Sequence, residues 1–155
     1  MSEAGAVTVA QESPLTPDGR ALLAGSQQAL LAALRPDEIF TVTAEELDRP
    51  GLTFYVARGA RGEALGCVAR AEGAGYAEVK RLFVAPQGRG RGVARALMAR
   101  LEADARAAGH PVVMLETADA LRPAVALYES LGYARRGPFG AYAAHPASLF
   151  MERRL

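Results

Sequence analysis

The sequence predicts an α/β domain. Its mixed β-sheet is antiparallel in an N-terminal meander, parallel at its centre, and flanked by helices. Three observations lead there. Strand-like runs at residues 53–58, 64–71 and 78–84 are separated only by the glycine turns at residues 59–62 and 72–75, the spacing of a meander. Residues 76–109 then read as a strand, a glycine- and arginine-rich loop and a long helix, followed by the apolar run Val112–Thr117. A strand–helix–strand unit of that kind closes by a right-handed crossover, which sets its two strands parallel. Finally, 155 residues, half of them hydrophobic, suffice to bury a core, so residues 1–155 are expected to form one domain.

Taken in order, residues 6–11 alternate enough for a first short strand. Ser13-Pro14 and Thr16-Pro17-Asp18-Gly19 supply a turn and a helix cap. Leu22, Leu23, Leu30, Leu31 and Leu34 describe an amphipathic helix over residues 20–34, with Gly25-Ser26 as a weak point. Thr43 followed by Glu46 has capping-box spacing and predicts a helical turn or two at residues 44–48. In the meander, Leu65, Cys67 and Ala69 are expected to face inward. The central strand at residues 78–84 stops at Pro86. The long helix starts near Gly92, buries Val93, Leu97, Leu101, Ala105 and Ala108, and ends at Gly109. VVMLET over Val112–Thr117 is apolar enough for a strand covered on both faces. Pro123 suits the first turn of a further helix ended by Gly132, and residues 133–135 and 148–153 read as the last strands.

The loop Gln87-Gly88-Arg89-Gly90-Arg91-Gly92 carries the clearest chemistry. At a helix start, free backbone N–H groups and the positive end of the helix dipole converge on one point, and glycines let a phosphate come close to the main chain. Lys80, Arg81, Arg89, Arg91 and Arg95 fall within sixteen positions and concentrate positive charge beside it. No Gly-Lys-Ser/Thr follows the glycines, so the lysine and the Mg²⁺-binding hydroxyl of a P-loop are absent.

A formal net charge of +1 gives no reason to expect a nucleic-acid or anionic-membrane partner. Cys67 is the sole cysteine, which excludes an intrachain disulfide and a cysteine metal cluster; His110 and His145 do not suggest a zinc site, and no metal is expected. Residues 1–14 lack the basic start and apolar run of a signal peptide, and no segment approaches the roughly 18 apolar residues of a membrane span, so a cytoplasmic protein is expected.

With these stretches in view, the chain resembles the GCN5-related N-acetyltransferase (GNAT) superfamily from about Ala6 to its C-terminus. Gln87-Gly88-Arg89-Gly90-Arg91-Gly92 fits that family's (Arg/Gln)-x-x-Gly-x-(Gly/Ala) loop for the coenzyme A pyrophosphate. It is preceded by Leu82-Phe83-Val84-Ala85-Pro86 and followed at family spacing by Leu127-Tyr128 and Leu131-Gly132-Tyr133. The C-terminal Pro138-Phe139-Gly140-Ala141-Tyr142, Pro146-Ala147-Ser148 and Met151-Glu152 are similar to a bacterial subgroup.

The resemblance implies a GNAT fold whose central parallel strands splay to admit coenzyme A, and acetyl transfer from acetyl-CoA to a small-molecule or peptide amine in a ternary complex. It implies that the backbone of Leu82, Phe83 and Val84 holds the pantetheine arm as an added strand would, and that Gln87, Gly88, Arg89, Gly90, Arg91, Gly92 and Val93 take the pyrophosphate. Tyr128, at the family's Leu-Tyr position, is the acid candidate for the leaving thiolate; it is also placed to be a packed aromatic of its helix. Glu116 and Glu78 are both base candidates, with ordered water as a third. Lys80 and Arg81 are candidates to reach a substrate carboxylate, and Tyr142 and Ser148 to line the acceptor pocket. Leu121 stands where many members have Asn or Gln, which removes one side-chain hydrogen bond to the cofactor. A competing reading is a catalytically silent acyl-CoA sensor or interaction module, against which the presence of Tyr128, Glu116 and Glu78 counts. A homodimer is compatible with the sequence.

Overall fold

In the computed structural model, which describes residues 6–155, strands β1 (Thr8–Gln11), β2 (Leu52–Arg58), β3 (Ala64–Glu72), β4 (Ala77–Val84), β5 (Val112–Thr117), β6 (Ala134–Arg136) and β7 (Leu149–Arg154) form one sheet in the order β1-β2-β3-β4-β5-β7-β6. The pairing is antiparallel from β1 to β4, parallel between β4 and β5, and antiparallel again through β7 to β6. The expected meander and central parallel pair are both present. β7 enters between β5 and β6 and pairs with β5 along its whole length.

Alternation along the strands divides the core into two layers. Tyr55 and Ala57 pack with Leu97, Leu101 and Ala105 of α3 (Val93–Ala107) and with Val125 and Tyr128 of α4 (Arg122–Ser130). Phe54 and Val56 point to the opposite face, where they meet Leu22 and Leu23 of α1 (Pro17–Ala33) and Leu47 of α2 (Ala44–Leu47). Thr16 caps α1 through its hydroxyl, which accepts from Gly19 N at 3.0 Å with Pro17 in the first turn, so the helix starts three residues before the expected Arg20. Thr43 and Glu46 form both arms of the expected capping box.

The structure corrects three of the burial expectations. Leu65, Cys67 and Ala69 are all buried but not on one face: Leu65 packs under α3, whereas Cys67 and Ala69 pack under α1. The β2–β3 register shifts between Ala57 and Arg58, leaving Leu65 unpaired, and an unpaired residue slips the alternation by one. Ala108 is exposed because α3 has already ended at Ala107, with Gly109 at φ 88°. β5 is buried at Val113, Leu115 and Thr117; Met114 and Glu116 are only partly buried, on the face that carries α1. α1 also runs unbroken through Gly25, whose missing Cβ admits the Phe83 ring; a Cβ there would lie 3.0 Å from it.

A second irregularity sets up the site. Ala69 pairs with Lys80 and Cys67 with Phe83, so two residues of β4, Arg81 and Leu82, oppose Val68 alone. Arg81 takes φ 58°, costly for a residue with a side chain, roughly 1–3 kcal/mol. Its guanidinium offsets that by donating from Nη1 to Gln27 Oε1 at 3.1 Å and from Nη2 to the Leu23 carbonyl at 2.9 Å, tying the bulge to α1. β4 pairs with β5 only at Ala77, Glu78 and Val79; beyond them the two strands part. Arg81 is therefore tied to α1 through its Nη atoms, while its Nε is buried without a hydrogen-bond partner among the described residues and the side chain lines the pocket beside β4.

Candidate functional site

Past the splay, β4 leads through a 3₁₀ turn (Pro86–Gly88) into the glycine loop and α3. Gly90 and Gly92 take φ 75° and 74°, where only glycine is unstrained, and a Cβ on either would meet nothing within 4 Å. Gly92 is the N-cap of α3 and offers no capping side chain, so the first-turn N–H groups face open space. Such a cradle fits a phosphate. Gly88 serves close packing instead, since it is buried and a Cβ there would lie 2.8 Å from the Leu65 carbonyl oxygen. Gln87 braces the loop, its Nε2 donating to Ala64 O at 3.2 Å. The Val93 side chain is core, 2% exposed, which leaves its backbone N–H for a ligand. Arg95 Nη2 donates to Ser130 Oγ at 2.8 Å and joins α3 to α4, while Arg89 is exposed at the loop tip.

Leu82 and Val84 turn their side chains toward the layer of α3 and Phe83 toward α1. What they offer a ligand is backbone, because the β4 edge beyond Val79 has no β5 partner among the described residues.

The gap between the parted strands opens into a cleft lined by Lys80, Leu82, Glu116, Leu121, Tyr128 and Tyr142, among others. Tyr128 reaches it from α4, 6% exposed, with the Tyr133 ring edge-on at 5.7 Å and no hydrogen bond to its hydroxyl among the described residues. Burial and, behind it, the Glu116 charge hold its phenol above the ordinary tyrosine range, so it stays protonated. Glu116 reaches the cleft from the end of β5. Burial pushes its carboxyl up to about 7; the Glu78 charge adds to the rise, and the Ser148 hydroxyl, donating to Oε2 at 2.9 Å, opposes it.

Glu78 and Lys80 share with Glu116 the face that carries α1, but Glu78 does not line the cleft. Its Oε2 accepts from Tyr142 Oη at 2.5 Å and pairs with Lys80 Nζ at 3.1 Å, and Lys80 Nζ also donates to Tyr142 Oη at 3.1 Å. Tyr142 is held by edge-on contacts to Phe139 and Phe150, and Phe139 in turn by Tyr76. Lys80 thus engages Glu78 and Tyr142 while it lines the cleft. The two glutamates that sequence treats alike are separated by these partners: Glu116 faces open space and Glu78 does not.

Of the remaining reactive side chains, Cys67 is fully buried, its thiol pushed up to about 12 by burial, and it donates weakly to the Arg81 carbonyl. His110 pairs with Glu72 at the other end of β3. His145 accepts from Ala147 N and packs edge-on against Phe40 at 5.1 Å. Among the described residues no cluster of His, Cys, Asp or Glu could hold a metal, and no helix is long and apolar enough to cross a membrane. Sequence reasoning missed the cleft wall made by Ile39, Phe40 and Val42. The signal was there: an apolar Ile-Phe pair between the end of one helix and the capping box of the next, a place usually polar.

Comparison with known proteins agrees with this geometry. The Acetyltransferase (GNAT) family model matches residues 22–133. An IAA acetyltransferase of Azospirillum brasilense is 44% identical over 153 residues, covering 96% of this chain and 98% of its own. A provisionally assigned acyl-CoA N-acyltransferase from Klebsiella pneumoniae subsp. pneumoniae superposes with a TM-score of 0.81 at 31% identity, over 97% of this chain and 99% of its own. A provisionally assigned streptothricin acetyltransferase from Bacillus anthracis, in complex with acetyl coenzyme A, shares the fold with a TM-score of 0.62 at 22% identity, over 76% and 70% of the two chains.

Proposed function

Because the chain belongs to the GNAT acetyltransferase family, with acetyl-CoA as acetyl donor, we propose that it acetylates the nitrogen of a small-molecule or peptide primary amine by direct attack, with donor and acceptor bound together and Glu116 as the base. The observation that carries this reading is that Glu116 and Tyr128, one with a carboxyl near neutrality and the other a protonated phenol, line a single cleft at the point where β4 leaves β5.

Bound acetyl-CoA supplies an activated thioester carbonyl. The first-turn N–H groups at Gly92 and Val93, with Gly90 giving room, hold its phosphate end. The open edge of β4 at Leu82, Phe83 and Val84 hydrogen-bonds the extended arm and presents an N–H to the acetyl oxygen, where negative charge develops. Glu116 accepts a proton from the incoming ammonium, since only a neutral amine can attack, and a carboxyl near 7 is suited to accept it at neutral pH. Ser148 fixes the carboxylate through Oε2. Tyr128 donates to the sulfur as it leaves; its raised pKa keeps that proton available. Glu78 acts at one remove, holding Lys80 and Tyr142 in the wall of the cleft.

Initial velocities with both substrates varied test the proposal, read as thiol release. Intersecting lines, and a loss of roughly 100-fold or more in kcat for Glu116→Gln, are expected. Parallel lines would mean a covalent acetyl-enzyme and end the direct-attack reading; unchanged turnover in Glu116→Gln would remove the base.

A further inference from the structure

Resting on the reading that an amine is the acceptor, we propose that this amine is carried on an apolar body, aryl or branched alkyl, which lies on a wall made by Leu30, Leu34, Ile39, Phe40 and Val42. All five line the same cleft as Glu116 and Tyr128. The apolar stripe of α1 divides by position. Leu22 and Leu23 are spent in the core, whereas Leu30 and Leu34, two and three turns further on, stay only partly covered at the cleft. Among the described residues the large hydrophobic side chains left exposed are Phe40 at 45% and Leu31 at 49%, and of these Phe40 lines the cleft. A single exposed leucine is ordinary, but a cluster beside a pocket that holds a titratable carboxyl marks a binding surface.

The wall is preformed. Thr41 Oγ1 donates to Gln27 Oε1 at 3.2 Å, and the Phe40 ring sits against His145, which fixes the segment after α1 to the helix on one side and to the connection before β7 on the other. It lies on the face of the sheet that carries α1, opposite the face on which α3 and its glycine loop lie. The five wall side chains offer no hydrogen-bonding atom; Ser26, Glu38 and Thr41 are the polar members of that side, and Lys80, Arg81, Thr117 and Tyr142 line the cleft with Glu116. Polar groups of an acceptor that lay directly on these five side chains would lose water without gaining a partner from them. An ammonium at the Glu116 end with an apolar group outward satisfies both ends of the cleft.

The test compares kcat/KM, read as thiol release at saturating acetyl-CoA, for 2-phenylethylamine and 3-methylbutylamine against 2-aminoethanol and spermidine. Wild-type protein is expected to favour the apolar pair by about tenfold to a hundredfold. Phe40→Ser, at an exposed position that leaves the core intact, is expected to shrink that ratio several-fold through KM rather than kcat. Turnover of all four amines at similar kcat/KM, or a preference for spermidine, would overturn the apolar acceptor while leaving amine acetylation standing. Thiol release with none of the four, in protein whose melting temperature acetyl-CoA still raises, would take away the amine reading and this inference with it.

Discussion

Ser148 Oγ donates a 2.9 Å hydrogen bond to Glu116 Oε2 and, together with the weaker pull of the Lys80 charge, favours the ionised form of a carboxyl whose pKa burial raises. Base catalysis needs the carboxylate, so kcat/KM is expected to rise as pH passes through about 7. Ser148→Ala removes the donor and should move that limb to higher pH, whereas Ser148→Thr, which keeps a hydroxyl, should restore it. A pH–rate profile of the three proteins decides; a limb that does not move in Ser148→Ala would mean that some other group titrates.

The same shift has a signature in stability that involves no substrate. The folded-state pKa of Glu116 lies above its ordinary value of 4.5, so the folded protein holds this proton more tightly than the unfolded chain. The resulting stabilisation is fully present below about pH 4.5 and is lost as pH rises through about 7. Glu116→Gln abolishes the dependence. Its melting temperature relative to wild type is therefore expected to climb between pH 5 and pH 8, and a difference that stays flat across that window would show that the carboxyl is not raised.

Tyr128→Phe removes a hydroxyl that bonds to no described residue, while the ring keeps its place beside Tyr133. The fold should hardly notice. We expect kcat to fall by roughly 10- to 1000-fold with acetyl-CoA affinity nearly unchanged, as measured by single-turnover kinetics and calorimetry. Equal turnover by the variant would leave Tyr128 a packing residue alone.

The meander, the parallel pair and the glycine loop before α3 were legible in sequence because each rests on a local pattern: glycine turns at residues 59–62 and 72–75, a strand–helix–strand run, and glycines at a helix start. What lay beyond reach is non-local. Alternation does not announce which residue will be skipped, so the bulges at Leu65 and Arg81 were invisible, and with them the splay of β4 from β5 had to come from resemblance. Nor could local pattern rank Glu116 above Glu78. What separates them is Tyr142, 64 residues from Glu78 in sequence, whose hydroxyl closes over one carboxylate and leaves the other open. The partners of Arg81 and Lys80 are likewise distant in sequence, Gln27 and Leu23 of α1 for one and Tyr142 for the other.

Gly88 and Gly90 play different parts in the glycine loop, one packed against the scaffold and the other facing open space. A Cβ on Gly90 would meet no atom within 4 Å, so Gly90→Val is strained only by its φ of 75°, a local cost of about 1–2 kcal/mol that should leave the protein folded. Its side chain, however, would project where a phosphate approaches the first turn of α3. A Cβ on Gly88 would press to 2.8 Å from the Leu65 carbonyl oxygen, backbone that cannot swing aside, and the 3₁₀ turn would have to move. We therefore expect Gly90→Val to lower melting temperature by a few degrees and abolish the further rise that acetyl-CoA gives. Gly88→Ala should lower the melting temperature more and keep part of that rise. Wild-type protein at about 100 times Kd should gain roughly 2.7 kcal/mol, several degrees, with acetyl-CoA and nothing with ATP. A Gly90→Val protein that still responds fully to acetyl-CoA would put the phosphate elsewhere than at the start of α3.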